Sequence, residues 1–455
     1  MKIMKERTFL VIAIFVLVLP TMAVLTYNLH IDPFQIFHKD LKQPTVLASR
    51  GGPDRYQQAG IINQYDIGSV IIGHSHAANF LPSKVQKELL WEKVYTLTMN
   101  GIWLFEQAMV AEYALSKHKI DNVLWGMQVE NFMKPWDEKN KNVPLKEYLY
   151  DKSRFNDLRF FLSFDLLKYE KQKKKRKQQI LASENSQQLA EEEFDRATSW
   201  YFRNICRFNR PTFIADKELG TIRLKYDDVT REKLARLNPR SLFEQLKEPD
   251  QRFLNYKDNL HKNLLPIIKQ HPTTTFHFVL TPFPTFRLQN MKIEYQGVYK
   301  LYLQILRQFV IDTHDYKNVK IFGFDKEKFT YDLRLYKDPT HYHIAVNNYI
   351  IEKIAKGDNL LTASNIDNYI FALDEKVSTF RLSDRWNPQI VKESPKAGYL
   401  SPEAARLLIH GNGQYSDIEI TEVALQENPL PKCASRLKQQ RIKHYKNNIT
   451  SQNNQ

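Results

Sequence analysis

The chain opens on an unbroken apolar run. Residues Thr8 to Tyr27 (TFLVIAIFVLVLPTMAVLTY) carry no charged side chain. Wound as a helix at about 1.5 Å per residue, such a run covers about 30 Å, the hydrocarbon thickness of a bilayer. Apolar positions on every side, with no polar face, predict a membrane-spanning helix rather than a core helix. The Pro20 inside it is tolerable in a membrane helix.

From about residue 66 the pattern becomes that of an α/β domain. Ile67 to Ile72 is a short apolar run that ends at Gly73, which predicts a buried strand. A helical pattern follows at 84–91, then a strand at Val94 to Met99 that leads into Asn100-Gly101. A helix is predicted at 103–117 and a third strand at Asn122 to Met127. Strands alternating with helices predict a parallel sheet between two helical layers. The alternation stops at about 145–265, which reads as a helical insertion. It resumes with a strand at Thr275 to Thr281, a helix at about 293–314, a strand at Val319 to Phe324 and a helix at His343 to Ala355. Trp91, Trp103, Trp125, Phe276, Phe278 and Phe324 fall at core positions of this pattern.

The resulting division is a cytoplasmic N-terminus at 1–7, an anchor at 8–27 and a linker at 28–59. One α/β domain follows at 60–356, then a C-terminal extension at 357–430 with a helix at 401–410. The tail at 431–455 is basic and expected to be disordered. No internal repeat is present.

Charge sharpens the picture once the anchor is in place. The 455 residues include 66 Lys and Arg against 51 acids, a formal net charge of +15. The balance calls for an anionic partner. Lys2, Lys5 and Arg7 precede the apolar run, and the positive-inside rule keeps that end in the cytoplasm. The expected location is therefore the inner (cytoplasmic) membrane, single-pass, with the body in the periplasm or extracytoplasmic space. A cleaved signal, with Thr21-Met22-Ala23 as a weak cleavage site, would lead to the same compartment. Nucleic acid is then a poor partner, and lipid headgroups or an acidic glycan are better ones. The run at 168–193 holds Lys171, Lys173, Lys174, Lys175, Arg176 and Lys177; it reads as an exposed charged helix or a flexible linker, or as a contact for anionic headgroups or polymer. Cys206 and Cys433 stand outside any CxxC or Cys/His pattern and are read as inert.

The chemistry-bearing residues sit at strand ends. Gly73, His74, Ser75 and His76 form the turn after the first strand, where an α/β sheet presents side chains at its carboxyl edge. A serine there lies near the positive start of the next helix. Asp338 and His341 stand at DxxH spacing before the last helix, and could supply a base and its orienting acid. Gly101 after the second strand lets a backbone N–H approach an oxyanion, and Asn100 could add a side-chain donor. The histidines at 74, 76, 341 and 343 also permit a divalent metal, although HxH spacing directs His74 and His76 to opposite sides of an extended turn.

Together these motifs resemble the SGNH (GDSL-like) hydrolase superfamily over roughly 66–356, the insertion excepted. The nearest subgroup in character is the anchored, exported one: polysaccharide O-acetyltransferases of the alginate-acetylation type and the teichoic-acid D-alanylation protein. The resemblance implies a three-layer, flavodoxin-like parallel sheet. It implies Ser75 as nucleophile, His341 as general base, Asp338 as its orienting partner, and the N–H groups of Ser75 and Gly101 as oxyanion hole. It implies no cofactor and no metal. In place of the family's Gly-Asp-Ser the chain has Gly-His-Ser. In place of its Gly-x-Asn-Asp block the chain has WGMQVENF, with Gln128 and Asn131 as substitutes.

The expected function is a serine acyltransferase or esterase acting on acyl groups, O-acetyl foremost, of an envelope polysaccharide or lipid. A multi-pass acyl-exporting membrane protein would supply its donor. The alternatives are a non-catalytic assembly or binding protein with the same fold, and a metal-dependent hydrolase.

Overall fold

A computed structural model describes residues 2–42, 44–47, 53–163, 166–183, 251–331, 336 and 340–380. Asp338, Cys206, Cys433, the helix expected at 401–410 and the tail at 431–455 lie outside these residues.

Helix α1 (Lys2–Ile31) contains the apolar run and extends it at both ends. Its stretch Ile14–Ile31 has a mean hydropathy of 1.8 and only 11% of it is buried, so the helix is long and apolar enough to cross a membrane. Leu17 is 70% exposed and Val16 64%, an apolar surface that water does not favour.

The body is a mostly parallel α/β sheet of six strands in the order β2-β1-β3-β4-β5-β6. The strands are β1 (Ser69–Gly73), β2 (Val94–Thr96), β3 (Asn122–Met127), β4 (Thr275–Leu280), β5 (Val319–Gly323) and β6 (Leu360–Leu361). β1 pairs in parallel with β2 and with β3, and β3 with β4; Ile71 stands opposite Thr96 on one side and Leu124 on the other. Every residue of β1 is buried, the pattern of a strand covered on both faces. The expected strand limits at 122–127 hold, whereas β1 starts at Ser69 rather than Ile67. β2 ends at Thr96, yet the ladder runs on: Leu97 N–H donates to Ile71 O (2.8 Å) and Met99 N–H to Gly73 O (3.0 Å).

Two compact units divide the chain. The first comprises residues 1–200, 248–280 and 308–322, the second 201–247, 281–307 and 323–455. In the first unit, α2 (Asp54–Gln64) precedes β1, α3 (Pro82–Leu89) links β1 to β2, and α4 (Leu104–Lys117) links β2 to β3. β2 and β3 lie on opposite sides of β1, so right-handed crossovers put α3 and α4 on opposite faces of the sheet. Trp125, Phe276 and Phe278 are fully buried, and Trp125 Nε1 donates to Gln107 Oε1 at 2.8 Å. Trp91 and Trp103 are half-buried.

Residues 28–59, expected as a linker, are folded where described. Asn28, Asp32, Phe34, Gln35 and Ile36 are completely buried. Asp32 ends α1 by accepting from the N–H groups of Ile36 (2.9 Å), Phe37 (2.8 Å) and His38 (3.1 Å). The expected insertion at 145–265 contains short 3₁₀ turns at Glu147–Tyr150 and Asn156–Leu162, then α5 (Leu167–Ser183) and α6 (Gln251–Asn259). A π turn at Leu260–Leu264 and α7 (Leu265–Gln270) complete it.

In the second unit a helix absent from the sequence reading, α8 (Thr285–Glu294), follows Pro284 directly. Proline just before a first turn loses no helical hydrogen bond, so Pro284 is compatible with the helix starting at Thr285. α9 spans Gln296–Thr313, and α10 (Ile344–Ala355) takes the expected place. β6 and α11 (Ile366–Thr379) lie past residue 356, and Asn359 O accepts from Gly323 N–H at 3.1 Å to attach β6 to the end of β5. Lys292 and Asp374, each 2% exposed, make an ion pair of 2.6 Å between α8 and α11. Phe324 is fully buried.

Candidate active site

The strand order reverses between β1 and β3. In open α/β sheets the position beyond the carboxyl ends of strands at such a reversal is where ligands usually bind. Ser75 lies there, half-buried, in the turn after β1. Gly73 makes the turn possible. Its φ is +141°, and a Cβ on it would stand 2.6 Å from Gly126 O and 2.8 Å from Ala77 Cβ. Only glycine fits that backbone and that space.

His74 and His76 flank Ser75 and are 4% and 3% exposed. Their rings stand 4.7 Å apart at 77°, and His76 N–H donates to His74 Nδ1 at 3.4 Å. The chain then makes one 3₁₀ turn, Ala77–Asn79, before α3 begins at Pro82. Ser75 was expected at the start of a full helix. A three-residue turn aligns too few peptide dipoles to supply the helix-end charge expected there.

β3 brings in the next residue. Gln128, directly after β3, donates through Nε2 to His76 Nδ1 at 2.9 Å. Asn131, the other substitute named from sequence, is 5% exposed inside the short turn Val129–Met133. Gln128 is therefore the amide in contact with the residues of the Ser75 turn.

β2 contributes Asn100 and Gly101. The Met99–Gly73 bond brings the end of the β2 ladder level with the Ser75 turn. Gly101 is exposed with φ +64°, and its carbonyl accepts from Asn140 Nδ2 at 2.6 Å. The Asn100 backbone is gripped from both sides by the first turn of α2. Its N–H donates to Asp54 Oδ2 (2.9 Å), and its carbonyl accepts from Arg55 Nη2 (2.9 Å). Arg55 is 1% exposed, and its own carbonyl accepts from Tyr150 OH at 2.6 Å. Asn100 Oδ1 is buried and finds no hydrogen-bond partner among the described residues. Asp54 and Arg55 do not stand out in the sequence. Their only local signal was a helix start, Pro-Asp-Arg, inside a stretch read as linker.

His341 belongs to the second unit. It is half-buried, and Thr340 Oγ1 lies 3.0 Å from its Nδ1. Two residues on, His343 caps α10 by accepting from Ala345 N–H through Nδ1 at 3.1 Å. Burial pushes the His343 imidazole down to about 4, so it is neutral and structural at neutral pH. Among the described residues no group of three His, Cys, Asp or Glu side chains is arranged to hold a metal ion.

Ser75, His74, His76, Gln128, Asn100 and Gly101 thus all follow the carboxyl ends of three adjacent strands, and of these His74, His76 and Gln128 are in direct contact. These strand ends carry a hydroxyl, two imidazoles and an amide. No family model matches the chain, and no curated protein matches it.

Proposed function

We propose that this chain is a membrane-anchored serine acyltransferase or esterase of the SGNH type. It would act outside the cytoplasm on acyl groups, O-acetyl foremost, of a cell-envelope polysaccharide or lipid. The observation that carries the reading is the position of Ser75. It occupies the turn after β1 beside the strand-order reversal, with Gln128 on one side and Asn100-Gly101 on the other. The apolar α1 supports the anchor, and the basic residues before it support export of the body.

In this reading Ser75 Oγ attacks the acyl carbonyl carbon while His341 takes the hydroxyl proton. Asp338 orients His341 and stabilises its cation. The N–H groups of Ser75 and Gly101, with the Gln128 amide, hold the oxyanion. The bond to the leaving oxygen breaks as His341 returns its proton to that oxygen, leaving an acyl-serine. An acceptor hydroxyl then attacks the acyl-serine, His341 takes its proton, and the proton returns to Ser75 Oγ. Water in place of the acceptor makes the same cycle a hydrolysis. A multi-pass membrane protein that exports acyl groups would supply the donor.

The test is a fluorophosphonate probe on the purified full chain, together with the envelope acyl content of cells that carry Ser75→Ala. Labelling lost in Ser75→Ala, with acyl modification reduced, supports the proposal. Acyl modification at the wild-type level in that variant contradicts it. A wild-type chain that takes no label favours the non-catalytic assembly protein.

A further inference from the structure

The basic run at 171–177 plays no part in the proposed chemistry, and it does not float free. α5 is fixed against the C-terminal end of α1. Tyr27 OH donates to Glu170 Oε2 at 2.9 Å. Asn28 Nδ2 donates to Phe161 O (2.6 Å) and Ser163 O (3.0 Å), which ties down the segment before α5. Lys173, 7% exposed, donates to the last carbonyl of α1, that of Ile31, and to Asp32 O at 2.9 Å. It also pairs with Asp40 at 2.7 Å, and Lys177 stands 3.7 Å from the same carboxylate.

These contacts fix depth and direction. Glu170 meets Tyr27, and Lys173 meets Ile31 and Asp32, so α5 starts beside the last turn of α1 and runs onward past its end. The apolar stretch Ile14–Ile31 spans about 27 Å at 1.5 Å per residue, close to the hydrocarbon core. Tyr27 then sits about 6 Å before the end of that stretch, at the border of the core. The first turns of α5 are thereby held at the depth of the adjoining headgroups, a layer of about 5–7 Å.

The side chains match that depth. Glu170, Lys173 and Lys177 recur at helical spacing and form the face turned to α1 and Asp40. Lys168, Lys171 and Lys175 recur at the same spacing on the opposite face and are exposed. Two apolar side chains at the near end are exposed as well, Leu162 at 43% and Leu167 at 40%. Exposed leucines close in sequence to exposed lysines at this depth suit the membrane border, where leucines can enter the acyl boundary and lysines can meet phosphate.

We infer that the start of α5, with Leu162, Leu167, Lys168 and Lys171, is a foot that binds anionic phospholipid headgroups. The leaflet is the one at which α1 ends. The inference rests on the proposal that α1 spans the bilayer. The foot holds the body of the first unit at a set height and tilt above the membrane surface, which a single helix alone does not do.

The test uses the full chain with Cys206 and Cys433 replaced by Ser, reconstituted into two bilayers. One is phosphatidylcholine alone; the other contains about one third phosphatidylglycerol. An environment-sensitive fluorophore is placed at Gln172→Cys, and both bilayers carry the same fraction of a lipid spin-labelled in its headgroup. Quenching is expected to be at least about twofold stronger in the anionic bilayer. It should fall to the neutral level at about 1 M salt, where the screening length is about 3 Å. It should fall likewise in Lys168→Gln/Lys171→Gln. Equal quenching in the two bilayers overturns the inference. A second fluorophore at Met22→Cys, with a quencher on the acyl chain, reads the anchor separately. Strong quenching at Met22 with lipid-independent quenching at Gln172 overturns the foot alone. Absence of quenching at Met22 overturns the anchor and the foot with it.

Discussion

Gly73→Ala is the sharpest structural perturbation of the Ser75 turn. Two costs add. A φ of +141° lies where an L side chain is strained, at about 1–3 kcal/mol. The new methyl would also stand 2.6 Å from Gly126 O, and that atom is backbone of the neighbouring strand. Forcing an extra methyl into a packed interior costs about 1–3 kcal/mol more. The sum, about 2–6 kcal/mol, is a large part of a typical domain stability of about 5–15 kcal/mol. Gly297→Ala is the matched control. A Cβ there meets nothing within 4 Å, and the residue lies in α9, so alanine should stabilise by about 0.5–1 kcal/mol. The assay is urea unfolding of the detergent-solubilised chain, with far-UV circular dichroism and Ser75 labelling followed together. With a slope of about 3 kcal/mol per molar, Gly73→Ala should lower the midpoint by about 0.7–2 M. Labelling should drop even in the folded fraction, because the turn has moved. An unchanged midpoint for Gly73→Ala, or a greater loss for Gly297→Ala, would refute the reasoning.

Three further expectations follow from named contacts. Arg55→Met removes the guanidinium that holds the Asn100 carbonyl; stability should fall by about 1.5–3 kcal/mol and Ser75 labelling should slow, as read by denaturation and probe kinetics. Asp374→Ala strands the buried Lys292 ammonium, so thermal unfolding should show a loss of about 3–5 kcal/mol, whereas replacing both partners with apolar residues should recover much of it. His277 and His343 are both held down to about 4 by burial, so between about 6.5 and 4 the unfolded chain binds more protons than the folded one. Stability should therefore fall as pH drops through that window, by about 3 kcal/mol for each histidine, and His343→Asn, which can still cap α10, should flatten the fall in a pH series of unfolding curves.

The strands were the most legible part of the fold, because buried parallel strands are written as short continuous apolar runs. β3 and β4 stand within a residue of their expected limits for that reason. Elements whose stability comes from elsewhere were hidden. β6 has two residues and exists by attachment to Gly323. α2 is held by polar side chains: Arg55, Gln57 and Gln58 are all buried, and no apolar stripe marks it. Its first turn is nevertheless what fixes Asn100. At the candidate site, the residues after strand ends were readable from spacing alone, since a carboxyl edge is where such side chains must emerge. The contact between Gln128 and His76 was not readable, because it depends on β1 and β3 being neighbours while β2 lies between them in sequence.

The central claim is that Ser75 carries an acyl group in a covalent intermediate. The most direct measurement is intact-mass analysis and peptide mapping of the full chain after reaction with a fluorophosphonate. One adduct per chain is expected, on the peptide containing Ser75, and none in a folded Ser75→Ala variant. An adduct on another residue, or an unmodified chain under conditions that label a known serine esterase, would contradict it.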